Sequence, residues 1–398
     1  MALTTSQAAV LGPSPVRGPA TGTGGGRTGG RAKPPGLDRV LLGAVLALAV
    51  VGSLLVWSAT FHRDVITGGD PTAYLRRHLV NIGIGLVLMV LVLATDHRWV
   101  RILAPLVYLG SVLGLGLVLV MGSTVNGSRS WLHLGGLSVQ PSEFAKLAVV
   151  VAMALLVAER AEGRRRGVGS TEVLGMLAIA AVPACLILLQ PDLGTLLVLS
   201  ATVFGVLAVA GASRTWLVGL VLAGVGTAVA AVSAGVLKAY QVDRFLAFTN
   251  PDLDPRGAGY NTEQARIAVG NGGLFGQGLF EGSQTRAGFV PEQHTDFIFT
   301  VAGEELGLLG AGLVIGLLCV VIWRALVIAA STDDVFGRIA AAGIACWFGF
   351  QAFQNVGMCL GIMPVTGVPL PFVSYGGSSM FAGMLAIGLL QNISLRSR

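Results

Sequence analysis

The sequence predicts an all-α polytopic integral membrane protein of about ten transmembrane helices, with a large extracytoplasmic loop between the seventh and eighth. Three observations carry this expectation. The 398 residues are 54% hydrophobic and only 12% charged, where a soluble domain carries roughly 25% charged residues, and the mean hydropathy is +0.77. Apolar stretches of about 18–25 residues recur along the chain, each long enough to cross a hydrocarbon core of about 30 Å. Only three of the 26 cations are lysines, and the arginines sit mostly in short loops. That distribution reads as a topology signal and not as a nucleic-acid surface, in spite of the net charge of +6. A water-soluble globular fold is excluded.

Residues 1–37 are rich in Gly, Pro, Ser and Thr, carry Arg17, Arg27, Arg31 and Lys33, and have no periodic apolar pattern, so they read as a disordered cytoplasmic tail. The apolar run that follows is of full spanning length without a small-residue cleavage site, which makes it an uncleaved anchor. Residues 38–395 form the transmembrane domain, with spans expected at 40–60, 79–95, 101–121, 143–158, 173–190, 192–211, 216–236, 298–323, 338–361 and 374–391. An even number puts both termini on one side. Sixteen of the 26 cations fall on that side, the run Arg164-Arg165-Arg166 among them, so the positive-inside rule places both termini in the cytoplasm. Two connections have substantial polar length, 122–142 and 237–297. Both lie on the outer side, and function is expected there. Cys185, Cys319, Cys346 and Cys359 are scattered through apolar segments and read as small core residues, not disulfides or zinc ligands.

Charged groups at membrane depth cost about 2.5–3.5 kcal/mol each on insertion scales, so those that persist need a reason. Gln140-Pro141-Ser142-Glu143-Phe144-Ala145-Lys146 opens the fourth span, with Glu143 and Lys146 three apart on one face and able to pair. Capping explains Pro141 and Glu143, but not a lysine at the positive end of a helix. Gln190-Pro191-Asp192-Leu193-Gly194-Thr195 joins the fifth and sixth spans, and Asp192 reads either as an ordinary helix cap or as a functional carboxylate. In the long loop, 250–261 holds turn punctuation, and 261–269 reads as a short amphipathic helix with Glu263 and Arg266 on one face. The glycine run from Gly270 to Gly278 lacks the flanking pattern of a phosphate-binding loop.

Pro291-Glu292-Gln293-His294-Thr295-Asp296-Phe297-Ile298-Phe299 leads into the eighth span. Thr295 or Asp296 would serve as a cap. Asp296 also abuts a fully apolar run, with Glu304 and Glu305 two turns on, where desolvation raises the basicity of a carboxylate as a general base requires. These clusters and Ser374-Tyr375-Gly376-Gly377-Ser378-Ser379 all fall on the outer side of one topology. Carboxylates, a lysine and several arginines facing one outer cavity suit an anionic, lipid-linked substrate met from the membrane. A flippase or other transporter would carry polar groups at both faces and at the midplane. A non-catalytic scaffold is a third reading, and it would tolerate replacement of Asp296.

Together with Arg129-Ser130-Trp131, the stretch 254–261 and Pro364 to Ser379, these motifs resemble the SEDS family (shape, elongation, division and sporulation) over about residues 40–392. Pro369-Leu370-Pro371-Phe372 and Gln284-Thr285 are similar to its RodA elongation branch more than to its FtsW division branch. The resemblance implies a ten-span peptidoglycan glycosyltransferase that polymerises lipid II at the outer face of the cytoplasmic (inner) membrane for cell-wall elongation. It also implies a class B penicillin-binding protein as transpeptidase partner. The family's essential aspartate falls on Asp296, and its charged pair on Glu143 and Lys146. The reaction makes a sugar hydroxyl displace a polyprenyl pyrophosphate from an anomeric carbon. That leaving group is already a stable anion, so one base suffices, unlike glycoside hydrolysis. Asp296 is the candidate catalytic residue. Lys146, Glu143, Arg129, Trp131, Asp192, Arg266, His294, Ser374 and Tyr375 are expected to bind substrate. Compensation for the pyrophosphate is expected from Lys146, Arg129 and Arg266, or from a divalent cation such as Mg or Mn.

Overall fold

The computed structural model describes residues 36–125, 128–134, 137–161, 168–235 and 257–396. Most of the expected tail, the Arg164-Arg165-Arg166 run and the segment 236–256 of the long loop lie outside the described residues. Ten described helices are long and apolar enough to span a membrane: α1 (Arg39–Phe61), α3 (Ala73–Ala94), α4 (His97–Met121), α5 (Pro141–Ala161), α6 (Ser170–Leu189), α7 (Leu193–Ala210), α8 (Arg214–Ser233), α11 (Ile298–Ser331), α12 (Val335–Cys359) and α13 (Gly377–Arg396). Three short helices, α2 (Asp64–Thr67), α9 (Ala258–Asn271) and α10 (Ser283–Ala287), sit between spans. The protein is a multi-pass membrane protein.

Local chemistry sets the helix starts. Asp38, Asp192 and Asp334 accept the backbone N–H groups of Leu41, Thr195 and Gly337, each satisfying a donor that the first turn leaves open. Several boundaries differ from expectation. α3 begins at Ala73, so Arg76, Arg77 and His78 are helical, because a helix continues past its apolar stripe where no proline or glycine stops it. α11 runs on to Ser331 for the same reason. The tenth span starts only at Gly377, because Pro364, Pro369 and Pro371 remove backbone donors and hold 360–376 out of the helix.

The architecture is all-α as expected, with a short strand element between spans. Residues 122–140 include an antiparallel three-stranded meander, β1 (Ser123–Val125), β2 (Ser128–Leu134) and β3 (Leu137–Val139), with Thr124 opposite Arg129 and His133 opposite Ser138. The sequence carries Asn126-Gly127 and Gly135-Gly136 between these strands, the dipeptides of two-residue hairpins.

α5, α12 and α13 are the most buried spans, whereas α8 has no buried residue. α12 packs on α11, α7 and α5, α13 on α3, and α1 on α11. Cys359 is buried and Cys346 partly so, but Cys185 and Cys319 face outward from the bundle, so the core reading of the cysteines fails for those two. At the end of the bundle remote from the strands, Arg324 pairs with the buried Asp38, and Asn392 Nδ2 donates to the Val92 and Thr95 carbonyls at the end of α3.

α11 is broken at Gly307, which has φ 66 and ψ −167. The glycine run mends the break. Gln277 and Gly278 donate their N–H groups to the Glu304 and Glu305 carbonyls at 3.0 and 3.1 Å, while Leu308 and Leu309 donate to Gly273 and Leu274 at 2.9 and 3.2 Å. The backbones approach so closely that a Cβ at Gly276, itself at φ 82, would lie 2.1 Å from the Glu305 oxygen. The Glu304 carboxylate accepts from the Gln284 and Thr285 N–H groups and the Thr285 hydroxyl, and Ser58 of α1 donates to Glu305. Gly276→Ala adds left-handed strain to that clash and is expected to destabilise the protein by more than about 1 kcal/mol. An unchanged midpoint in thermal unfolding of the purified protein would show that the inserted segment does not support α11.

Candidate active site

The turn before α11 is closed by a single oxygen. The Glu292 carbonyl accepts the N–H groups of Thr295, Asp296 and Phe297 at 3.2, 3.1 and 3.2 Å, with Glu292 itself at φ 49, a conformation few non-glycine residues adopt. This turn places the half-buried Asp296 on the wall of a cavity of about 180 Å³. Ser130 and Trp131 of β2, Gln140, Asp192, Glu292 and Gly367 share that wall. Asp192 accepts from the Thr195 N–H at 3.0 Å, the Thr195 hydroxyl at 2.8 Å and Gln140 Nε2 at 3.2 Å. Burial pushes its carboxyl above the usual range and Glu143 adds to the rise, against the Thr195 bonds and Lys146.

A second cavity of about 640 Å³ adjoins the first, sharing Trp131, Thr295, Tyr375 and Gly376. Arg76, Arg77 and Asn81 of α3 line it together with the apolar Val80 and Phe381. An aromatic stack stands at the junction, with Tyr74 4.8 Å from the His294 ring and 5.0 Å from the Tyr375 ring, and the Arg77 guanidinium 5.8 Å from the Tyr74 ring. The Tyr375 N–H donates to the His294 carbonyl at 2.9 Å. Burial lowers the imidazole pKa of His294, with Glu292 opposing and Arg63 reinforcing, a shift toward the neutral ring.

Lys146 is completely buried. Its Nζ donates to Glu143 Oε1 at 2.7 Å and Gln351 Oε1 at 2.8 Å, 5.1 Å from the Trp347 ring centroid. Gln351 Nε2 in turn donates to the Pro369 carbonyl at 2.9 Å. The ion pair therefore ties α5 and α12 to the segment that forms one wall of the small cavity.

A family model described as "Cell cycle protein", covering FtsW, RodA and SpoVE, matches residues 38–398. The chain belongs to this family. It is 38% identical over 373 residues to the probable peptidoglycan glycosyltransferase FtsW of Aeromonas salmonicida (strain A449), covering 92% of this chain and 93% of the relative. It is 36% identical over 359 residues to the peptidoglycan glycosyltransferase MrdB of Escherichia coli (strain K12), covering 90% and 93%. A chain from a solved peptidoglycan synthase complex, described as coordinating polymerization and crosslinking, superposes with a TM-score of 0.75 at 33% identity, covering 90% of this chain and 97% of that one.

Of the residues singled out in this FtsW/RodA/SpoVE chain, Asp296, Asp192, Trp131 and Tyr375 come together on the small cavity. Ser374 accepts the Leu370 N–H at 2.7 Å and shapes the segment behind it, while His294 packs beneath Tyr375. Arg129 points away on β2, donating to the Leu119 carbonyl at 3.0 Å, and Arg266 pairs with Glu263 on the exposed face of α9 at 3.6 Å. Neither lines the two cavities. Arg76, Arg77 and Asn81 do, and sequence reasoning missed them. The signal was the polar set Tyr74, Arg77, His78 and Asn81, which repeats at helical spacing in what reads as a loop followed by an apolar span.

Removing either member of the Glu143–Lys146 pair strands a buried charge, a loss of about 3–5 kcal/mol. Glu143→Ala and Lys146→Ala are each expected to destabilise strongly, and the double substitution by clearly less than their sum. Thermal unfolding of the four proteins measures the coupling, and simple additivity would show the pair to be uncoupled.

Proposed function

We propose that this chain is a peptidoglycan polymerase, an inverting glycosyltransferase that joins lipid II units into glycan strands with Asp296 as general base. One observation carries the site assignment: Asp296, in the His-Thr-Asp-Phe sequence, lines a small cavity that continues into a larger one bearing two arginines beside apolar side chains. That pairing suits a sugar pyrophosphate on a polyprenyl chain. Asp296 takes the proton of the acceptor hydroxyl as its oxygen bonds to the anomeric carbon, a contribution of roughly 10² to 10⁴ in rate. The bond from that carbon to the pyrophosphate breaks on the opposite face, and the pyrophosphate leaves with the electron pair. Arg76 and Arg77 meet its charge, the task expected of Lys146, Arg129 and Arg266.

Among the described residues no group of three or more His, Cys, Asp and Glu is gathered to hold a metal ion. The carboxylates on the small cavity still fit Mg or Mn, which are commonly held through one or two carboxylates plus substrate phosphates. Asp192 and Glu292 would hold such an ion, which would supply Lewis-acid charge at the reacting centre.

The elongation branch is supported by Pro369-Leu370-Pro371-Phe372 and Gln284-Thr285, although relatives of both branch names match the chain. A class B penicillin-binding protein is the proposed partner, supported by the similar chain from a complex that couples polymerization to crosslinking. The proposed location is the inner membrane, with both termini cytoplasmic and the cavities facing outward, supported by the cation asymmetry.

Asp296→Asn keeps the side-chain shape but loses basicity. It is expected to leave folding intact and to lower polymer formation from lipid II by the purified protein at least about 10²-fold. A variant retaining a tenth of the wild-type rate would remove Asp296 from the role. For topology, in a background with the four cysteines replaced by serine, Asn271→Cys is expected to react with a membrane-impermeant thiol reagent in intact cells and Asp333→Cys to stay unlabelled. The reverse pattern would invert the threading and place the cavities on the cytoplasmic side.

A further inference from the structure

The polar face of α12 has a task beyond burying the lysine. Gln351, Gln354 and Asn355 lie three and four residues apart, hence on one helix face, and all three are buried. Their amide nitrogens hold the irregular segment 364–369 by its carbonyls: Gln351 by Pro369 at 2.9 Å, Gln354 by Pro364 at 3.3 Å, and Asn355 by Val368 at 2.7 Å. Asn355 does something more. The same Nδ2 also donates to the backbone carbonyl of Asp296 at 2.7 Å. A primary amide nitrogen has two hydrogens, and here each is committed to a different wall of the small cavity.

Between those two anchors the walls meet. Gly367 has φ +71, and a Cβ built on it would lie 3.1 Å from Asp296 Oδ2. The carboxylate therefore lies against the residue that immediately precedes the second anchor. A change in the separation of the Asp296 and Val368 backbones would move the carboxylate relative to the cavity that receives the substrate.

We propose that Asn355 is a positioning residue for the polymerisation reaction, setting where the Asp296 carboxylate stands by tying the Asp296 and Val368 carbonyls to one nitrogen. This rests on the reading of Asp296 as general base. Misplacing a reacting group by about 1 Å can cost on the order of 10² in rate, so the effect belongs in turnover and not in substrate affinity.

The test compares wild type, Asp296→Asn, Asn355→Ala and Asn355→Asp, each purified in lipid nanodiscs and assayed for glycan formation over a range of lipid II concentrations and pH. Asn355→Ala is expected to lose at least tenfold in kcat with KM within about twofold of wild type, and the acid limb of its pH–rate profile is expected to move. Asn355→Asp, which keeps the shape but sets a carboxylate against two carbonyls, is expected to lose more. If Asn355→Ala is not monodisperse, Asn355→Ser, which retains one donor, replaces it, with an intermediate loss expected. Wild-type kcat, or a KM rise with kcat and the pH profile unchanged, would overturn the positioning role. An active Asp296→Asn would instead overturn the base assignment, whatever the Asn355 variants do.

Discussion

A backbone N–H or C=O that leaves a helix inside an apolar bundle must find another partner, because neither lipid nor packed apolar side chains supply one. Two departures from helix among the described residues show how, at Gly307 in α11 and over 360–376 before α13. At the first place a piece of loop backbone, 273–278, supplies the missing donors and acceptors. At the second, the amides of α12 do so. The second departure lines the candidate site. Regular helices packed side by side would leave no such cavity, so the site depends on the irregular segment 360–376 being satisfied.

The same logic governs the charges. Lys146 has no exposed surface, yet it stays paired because Glu143 and Gln351 are within 2.8 Å. Replacing such a pair with apolar side chains of equal volume is often neutral for stability, so its retention needs a reason beyond holding the fold. The reason visible here is connection. Glu143 and Lys146 belong to α5, Gln351 to α12 and Pro369 to the cavity wall, so one polar chain relates the β-meander end of α5 to the segment beside Asp296.

Most of this architecture was legible in the sequence because the spans are long and their apolar runs are interrupted only at turns. The number of spans, the caps at Asp192 and Pro141, the Glu143–Lys146 pairing and the amphipathic helix around Glu263 and Arg266 all rest on local spacing. What was not legible depends on contacts remote in sequence. Nothing near Asn355 announces that its amide reaches Asp296, fifty-nine positions away. The glycines at 272–278 carry no local sign that they mend a helix some thirty residues on. The meander was missed for a different reason: Asn126-Gly127 and Gly135-Gly136 are hairpin signals, but the strands they join are as short as three residues and fall below the length at which alternation stands out. Arg76 and Arg77 read as loop residues because the apolar run begins only at Leu79.

The division of the site into two cavities has a chemical consequence. A carboxylate acting as base must stay basic, and an arginine within about 4–6 Å would favour its charged form and weaken it. The departing pyrophosphate needs the opposite environment, with cations close at hand. A single pocket holding both would serve one demand at the expense of the other. Here Asp296, Asp192 and Glu292 share the small cavity, whose described lining contains no arginine or lysine, while Arg76 and Arg77 line the larger one. Tyr375, Thr295 and Trp131 stand where the two meet. In the proposed reaction the anomeric carbon would lie at this junction, with the attacking hydroxyl on the carboxylate side and the pyrophosphate on the arginine side. Displacement with inversion requires those two groups on opposite faces of that carbon, and the separation of the two cavities supplies that line of attack.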